Sequence, residues 1–476
     1  MKKEQIVDMI GEAPDNYVKD AKEYKKKRRI PRWSKWMGGI AAVLAIVLLV
    51  NNMPGISLTF SAKAVSLPSA PRISVRPKNG SSSEEFDVWR AEIDARNAMT
   101  ESAQKPIAAF AGRISAEILR GTDSVNRVWS PVNAYIALAM TAEMTGGETR
   151  EELLTLLGAD FSEALRSRVS AVWENIYRDN GKEISVLANS LWLDRDVEYV
   201  QEKMDLLAHH YYASVYQGDL GSEKTNRDIT NWMRMQTGGF LKDRTGKVQL
   251  EPEDQVLTIA STVYFQSRWH DEFSAGNNTQ AMFHTVSGDI DCTFMNKKEY
   301  QMRYCWAENF GAVQMYLENG SAMWFILPDE GKTVDDVLTG EEYMKILTSS
   351  EFSEDGYENS KWMKVNLSVP QFDVSSGINL KEGLRKAGVN AIFDEHSSDF
   401  SPSVRSEMPI TAAAIHQDTR VKIDEEGVSA ASYIEIVGAG AAEPPDEIID
   451  FILDRPFVFA IVKNRIPLFV GTVNTP

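Results

Sequence analysis

Cysteine is nearly absent from this chain. Cys292 and Cys305 are the only two in 476 residues, so neither a disulfide framework nor a four-cysteine metal site can be built. Histidine is sparse too: the six, at positions 209, 210, 270, 284, 396 and 416, are scattered and read as surface or packing residues. None of GxSxG, HExxH, GxGxxG or the phosphate-loop pattern GxxxxGK followed by Ser or Thr occurs, which removes the usual signatures of hydrolases, zinc proteases and nucleotide-binding enzymes. Acidic doublets such as Glu151-Glu152 and Glu425-Glu426 belong on solvated faces. With no visible nucleophile–base pair, an exported hydrolase is the weakest reading, and no metal, nucleotide or other cofactor is implied.

Positive charge is also short. The formal charge is -17, and residues 1–35 hold eleven Lys and Arg against six Asp and Glu, so the remaining 441 residues carry -22. Such a body excludes nucleic acid as a partner, because phosphate binding needs clustered cations on the folded part. With 43% hydrophobic residues the chain buries a large core.

Long apolar runs are limited to WMGGIAAVLAIVLLV (36–50), which follows the basic stretch KKKRRIPRWSK (25–35). At about 1.5 Å per residue this run spans roughly 22 Å, short of a ~30 Å hydrocarbon layer unless the following residues or a thinned bilayer help. Three readings are open. An uncleaved transmembrane signal-anchor over 36–53 is favoured by the interfacial Trp33 and Trp36, with 1–35 as a basic cytoplasmic tail. A signal peptide cleaved near Ala64 is suggested by the triplet Ala62-Lys63-Ala64, and a buried core helix is the third option. Either of the first two exports everything after residue 55.

Residues 54–101 read as a Pro/Ser-rich linker and lead-in helix. Pro54, Pro68, Pro71 and Pro77 precede GSSS, and Ser82 with Glu85 is a capping box for a helix over about 84–100. Pro106 is expected to open a second helix whose Ile107, Phe110, Ile114 and Ile118 share one face. Helical patterns follow at 132–144, 148–157, 226–237 and 380–388, and β-rich runs at 256–265, 312–317, 322–328, 364–372 and 457–462. Neighbouring strands lack the intervening helix that a parallel sheet requires, so the fold class is α+β. Cys292 and Cys305 flank MNKKEYQM; a hairpin centred near 298–299 would allow a cross-strand disulfide, and two buried free thiols is the alternative.

Several stretches resemble the serpin family in order: NRVWSPVNAYIALAMTAEMTGGETREELLTLLG (126–158), DITNWMRMQTGGF (228–240), LTIASTVYFQSRWHDEF (257–273), FILPDEG (325–331) and VNLSVPQFDVSSGINLKEGLRKAGVNAIF (365–393). The end of the chain, VKIDEEGVSAAS (421–432) and DRPFVFAIVKNRIPLFVGTVNTP (454–476), is the most specific part. The resemblance covers about 102–476. It implies a serpin fold of three β-sheets and about eight or nine helices with an exposed reactive-centre loop. It also implies an inhibitor of serine and sometimes cysteine proteases rather than an enzyme, monomeric, in a bacterial-type member anchored to a membrane or exported. A non-inhibitory binding or scaffold protein on the cell surface is the alternative.

On that resemblance EEGVSAASYIEIVGAGAAEPP (425–445) is the bait loop that is cut and inserted into the largest sheet. Its hinge is Glu425, Glu426, Gly427, Val428, Ser429, Ala430, Ala431 and Ser432. Beyond Gly427, Val428, Ala430, Ser432, Ile434 and Ile436 alternate with Ser429, Ala431, Tyr433, Glu435 and Val437, an apolar or small face against a polar one, as a strand with one buried face requires. The scissile bond falls near Ala441–Ala442, with Gly438, Ala439, Gly440 and Glu443 as alternatives. Small residues there suit elastase-like or subtilisin-like enzymes with shallow primary pockets. Where the family has a second Ser, an Asn and a His beneath the sheet opening, this chain has Asn133, Ser261 and Gln417 beside Ser130, so a pH-sensitive histidine is not expected in this shutter.

Overall fold

The computed structural model describes residues 60–69, 77, 82–121, 124–179, 184–237, 256–318, 320–349, 356–405, 410–411, 415–428 and 447–476. The candidate anchor at 36–53 and the basic tail lie outside the described residues. Among the described residues no helix is long and apolar enough to cross a membrane.

The strands form three sheets, and nine α-helices surround them among the described residues. The large sheet runs, edge to edge, through Lys63–Ser66, Ala213–Gly218, Ile184–Asp194, Leu257–Arg268, the short Gly427–Val428, His416–Asp424 and Phe372–Asn379. A nine-stranded sheet is built around the hairpins Phe310–Tyr316 with Ser321–Pro328 and Phe457–Lys463 with Ile466–Val473. A two-stranded sheet pairs Val404–Arg405 with Glu198–Tyr199.

The helix Pro131–Met144 lies in the core with every residue buried. Pro131 supplies its first turn with a preset φ, and Ser130 caps it by accepting from the Asn133 amide. Asn133, Thr141 and Glu143 apart, the helix is apolar, so it is enclosed on every side, with its N-terminus beneath the large sheet.

Two expectations are corrected. Ser82 and Glu85 do form the capping box, but Ser83–Leu119 is one continuous helix with Pro106 inside it, so Pro106 does not open a second one. Ile107, Phe110, Ile114 and Ile118 are buried together, and their packing holds the helix through the proline despite the lost amide donor. Second, Cys292 and Cys305 do not face each other. Both lie on the single long strand Gly288–Trp306, about 40 Å apart at strand spacing, and both thiols are free. MNKKEYQM contains no Gly or Pro on which a hairpin would turn.

Candidate functional site

Two strands flank the site. Leu257–Arg268 and His416–Asp424 run parallel and pair directly only at one end, where Gln417 faces Ser261 and Asp418 faces Thr262. At the other end Gly427–Val428 lies between them, with Val428 opposite both Ser267 and Ile423, antiparallel to each. The sheet is therefore a wedge, zipped below and parted above. Val428 is 1% exposed, so its side chain already lies in the core.

Gly427 makes this possible. Its φ is +147°, and a Cβ there would stand 2.5 Å from the Ser267 carbonyl oxygen and 2.6 Å from Arg268 Cα. No other residue fits that approach without moving the strand. The turn before it is pinned on the side of Trp269, whose amide donates to the Glu426 carbonyl at 3.2 Å and whose indole Nε1–H donates to the Asp424 carbonyl at 2.9 Å. Phe273 donates its amide to the Glu425 carbonyl at 3.1 Å, and the Glu425 carboxylate accepts from Gln371 Nε2 at 2.7 Å and from the Asn278 side-chain amide. Burial works to raise the Glu425 pKa, but these amide donors outweigh it and hold the carboxyl below its ordinary value. Burial pushes the neighbouring Asp424 up.

The closed end of the wedge is a buried polar cluster. The Ser130 amide donates to Gln417 Oε1 at 2.6 Å, and Gln417 Nε2 donates back to the Ser130 carbonyl at 3.0 Å. Asn133 Nδ2 donates to Ser261 Oγ, and Thr419 Oγ1 donates to Gln417 Oε1 at 3.3 Å. Ser130, Asn133, Ser261 and Gln417 are thus brought together, each no more than 5% exposed. Asn133 Oδ1 and both side-chain polar atoms of Asn189, which sits opposite Ser261 on Ile184–Asp194, have no hydrogen-bonding partner among the described residues.

Sequence reasoning named the four cluster residues but missed Asn189, Thr419, Trp269, Asn278 and Gln371. Asn189 carried a readable signal as a lone amide inside the apolar run VLANSLWL; the other four were visible only once strands distant in sequence were paired. Of the hinge, Glu425, Glu426, Gly427 and Val428 are described. Ser429, Ala430, Ala431 and Ser432, and the candidate scissile residues Gly438, Ala439, Gly440, Ala441, Ala442 and Glu443, lie outside the described residues. The chain is picked up again at Glu447, whose carboxylate pairs with Lys361, and runs into Ile448–Ile452 parallel to Ser360–Pro370, where Asn366 Nδ2 donates to Asp450 at 2.7 Å.

No metal-ligating cluster of His, Cys, Asp and Glu occurs among the described residues. Three sheets around a buried helix, with two strands of the largest parted at one end around Gly427–Val428, define the class of fold. Comparison with known proteins gives that class its name: residues 105–476 match the serpin (serine protease inhibitor) family, and the chain belongs to it. An alpha-1-antitrypsin-like protein of Ictidomys tridecemlineatus, GS55-MS, is 25% identical over 382 residues, 78% of this chain and 88% of its own length. Serpin-Z2B of Oryza sativa subsp. japonica is 27% identical over 411 residues, 78% of this chain and 96% of its own. Among solved structures, the thermophilic serpin tengpin in its native state superposes with a TM-score of 0.68 at 26% identity, covering 78% of this chain and 93% of that one.

Proposed function

We propose that this chain is a suicide inhibitor of extracellular serine proteases of elastase or subtilisin type, held at a membrane by its N-terminal segment. The observation that carries the reading is the hinge: Gly427 and Val428 already occupy the head of a gap that is closed only by the Gln417–Ser261 and Asp418–Thr262 pairs. In this mechanism the protease serine Oγ adds to the Ala441 carbonyl, the bond to Ala442 breaks, and the Ala442 nitrogen leaves with a proton from the protease's own general acid. The acyl-enzyme would normally be released by water. Here the freed loop enters the gap first and carries the bound protease with it, distorting the oxyanion hole before hydrolysis.

The register of the seated residues can be extended one step at a time. Ala430 then meets Phe265 and Val421, Ser432 meets Val263 and Thr419, and Ile434 meets Ser261 and Gln417. The outward residues Ser429, Ala431 and Tyr433 meet Lys422, Arg420 and Asp418. Every partner on the inward face is buried, which matches the small and apolar character of that side of the loop. Each new backbone hydrogen bond contributes only about 0.5–1.5 kcal/mol against an ordering cost of roughly 1–2 per residue. Burial of Ile434 and Ile436, at roughly 1.5–3 kcal/mol each, supplies the drive.

The test is incubation with elastase-type and subtilisin-type proteases followed by a denaturing gel. A covalent adduct is expected, and Val428→Arg should abolish it, leaving cleaved chain instead, because a guanidinium cannot be buried at that position. Cleavage within 438–443 without adduct in the unmodified protein would favour a non-inhibitory binding or scaffold protein.

A further inference from the structure

The outermost strand of the large sheet, Lys63–Ser66, belongs to a segment the family match does not include. It pairs antiparallel with Ala213–Gly218, with Lys63 opposite Gln217, Ala64 opposite Tyr216 and Ser66 opposite Val215. Four further contacts fix it. The Ala62 amide donates to the buried Asp228 carboxylate at 3.0 Å, on the helix Glu223–Gln236. Ser66 Oγ donates to Asp205 at 2.7 Å, on the helix Gln201–His210. Val65 packs against the core, and Ala62, 5% exposed, lies so close to Gly218 that a Cβ on that glycine would stand 3.0 Å from the Ala62 Cβ.

We propose that Ala62–Ser66 is a permanent edge strand of the folded domain, which occupies in cis a β-pairing edge that would otherwise accept a strand from another molecule, and that Ala62-Lys63-Ala64 is accordingly a structural element and not a processing site. The chemistry favours this assignment. Without the strand, Ala213–Gly218 exposes a row of backbone donors and acceptors beside Val215 and Tyr216, a template for intermolecular pairing. With it, the new edge is four residues long and carries Lys63, two of the features by which natural sheets discourage edge-to-edge association. Cleavage after Ala64 would remove the Ala62 donor to Asp228 and half of the strand. This inference is independent of the inhibitory reading, since it concerns a sheet edge separated from the insertion gap by three strands and needs no protease to test.

The experiment uses the full chain carrying Lys63→Pro together with Ala64→Pro. Consecutive amides of a strand point to opposite sides, so one of the two prolines must remove a bond to Ala213–Gly218. Hydrogen exchange, thermal unfolding and light scattering are compared with the parent. The expected result is lost amide protection across 213–218, a midpoint lower by about 2 °C or more, and concentration-dependent oligomers. The mass of the exported parent chain should retain residues 62–64. Unchanged protection and midpoint, or an exported chain beginning at Val65, would overturn the proposal. If the double variant does not fold, Ala62→Pro, which deletes only the donor to Asp228, provides the same comparison.

Discussion

At the scale of single residues, two positions fix how neighbouring elements meet. Gly427 is required because the backbone must turn into the gap where a side chain would collide with Ser267 and Arg268. Glu143 holds together what surrounds the central helix. Its carboxylate, 2% exposed, receives Arg166 Nη2 at 3.0 Å, Lys203 Nζ at 3.0 Å and the Tyr211 hydroxyl at 3.3 Å, which ties Pro131–Met144 to Ser162–Ile176 and Gln201–His210. Burial acts to raise its pKa, but Lys203 and Arg166 outweigh it and the carboxyl stays below its ordinary 4.5. A depressed folded pKa stabilises the protein above the unfolded value, and the contribution fades as pH falls through the folded one. Glu143→Gln is therefore expected to lower stability by about 3 kcal/mol at neutral pH, with the difference from the parent narrowing as pH falls from 4.5 through the depressed folded value, measured by urea unfolding across pH.

At the scale of elements, much of the fold was legible where one periodicity ruled. The expected helices at 132–144 and 148–157 appear as Pro131–Met144 and Gly147–Leu156, and the β-rich runs at 322–328 and 457–462 appear as Ser321–Pro328 and Phe457–Lys463. Gly288–Trp306 was misread because it crosses between differently covered parts of a sheet, so its polar and apolar residues follow no single alternation. The break expected at Pro106 failed for the opposite reason: local propensity was clear, and tertiary packing overrode it. The polar cluster was found through residue types and family order, whereas the Trp269 anchor depends on partners far away in sequence. On the proposed register Ile434 meets the cluster itself. Ile434→Glu should stall insertion there and raise the number of inhibitor molecules consumed per trapped protease about tenfold, read as the stoichiometry of inhibition.

At the scale of the whole molecule, the uncut chain is expected to be a kinetic trap. Nicking between residues 438 and 443 should raise the thermal midpoint by about 10 °C or more, because the apolar face of the loop is then buried as a strand. An unchanged midpoint would remove the basis for trapping. The wedge has a further consequence for timing. Its flanking strands are already apart where the loop starts and joined where Ile434 would arrive, so on the proposed register the first steps of advance would disrupt no existing ladder and resistance would come late. On the proposed mechanism the uncut loop is held at both ends, by Val428 in one sheet and by Glu447 beside another, until a protease cuts it. The cut itself would then donate the slack, so the reach of the loop would be set by the length freed between Val428 and the scissile bond.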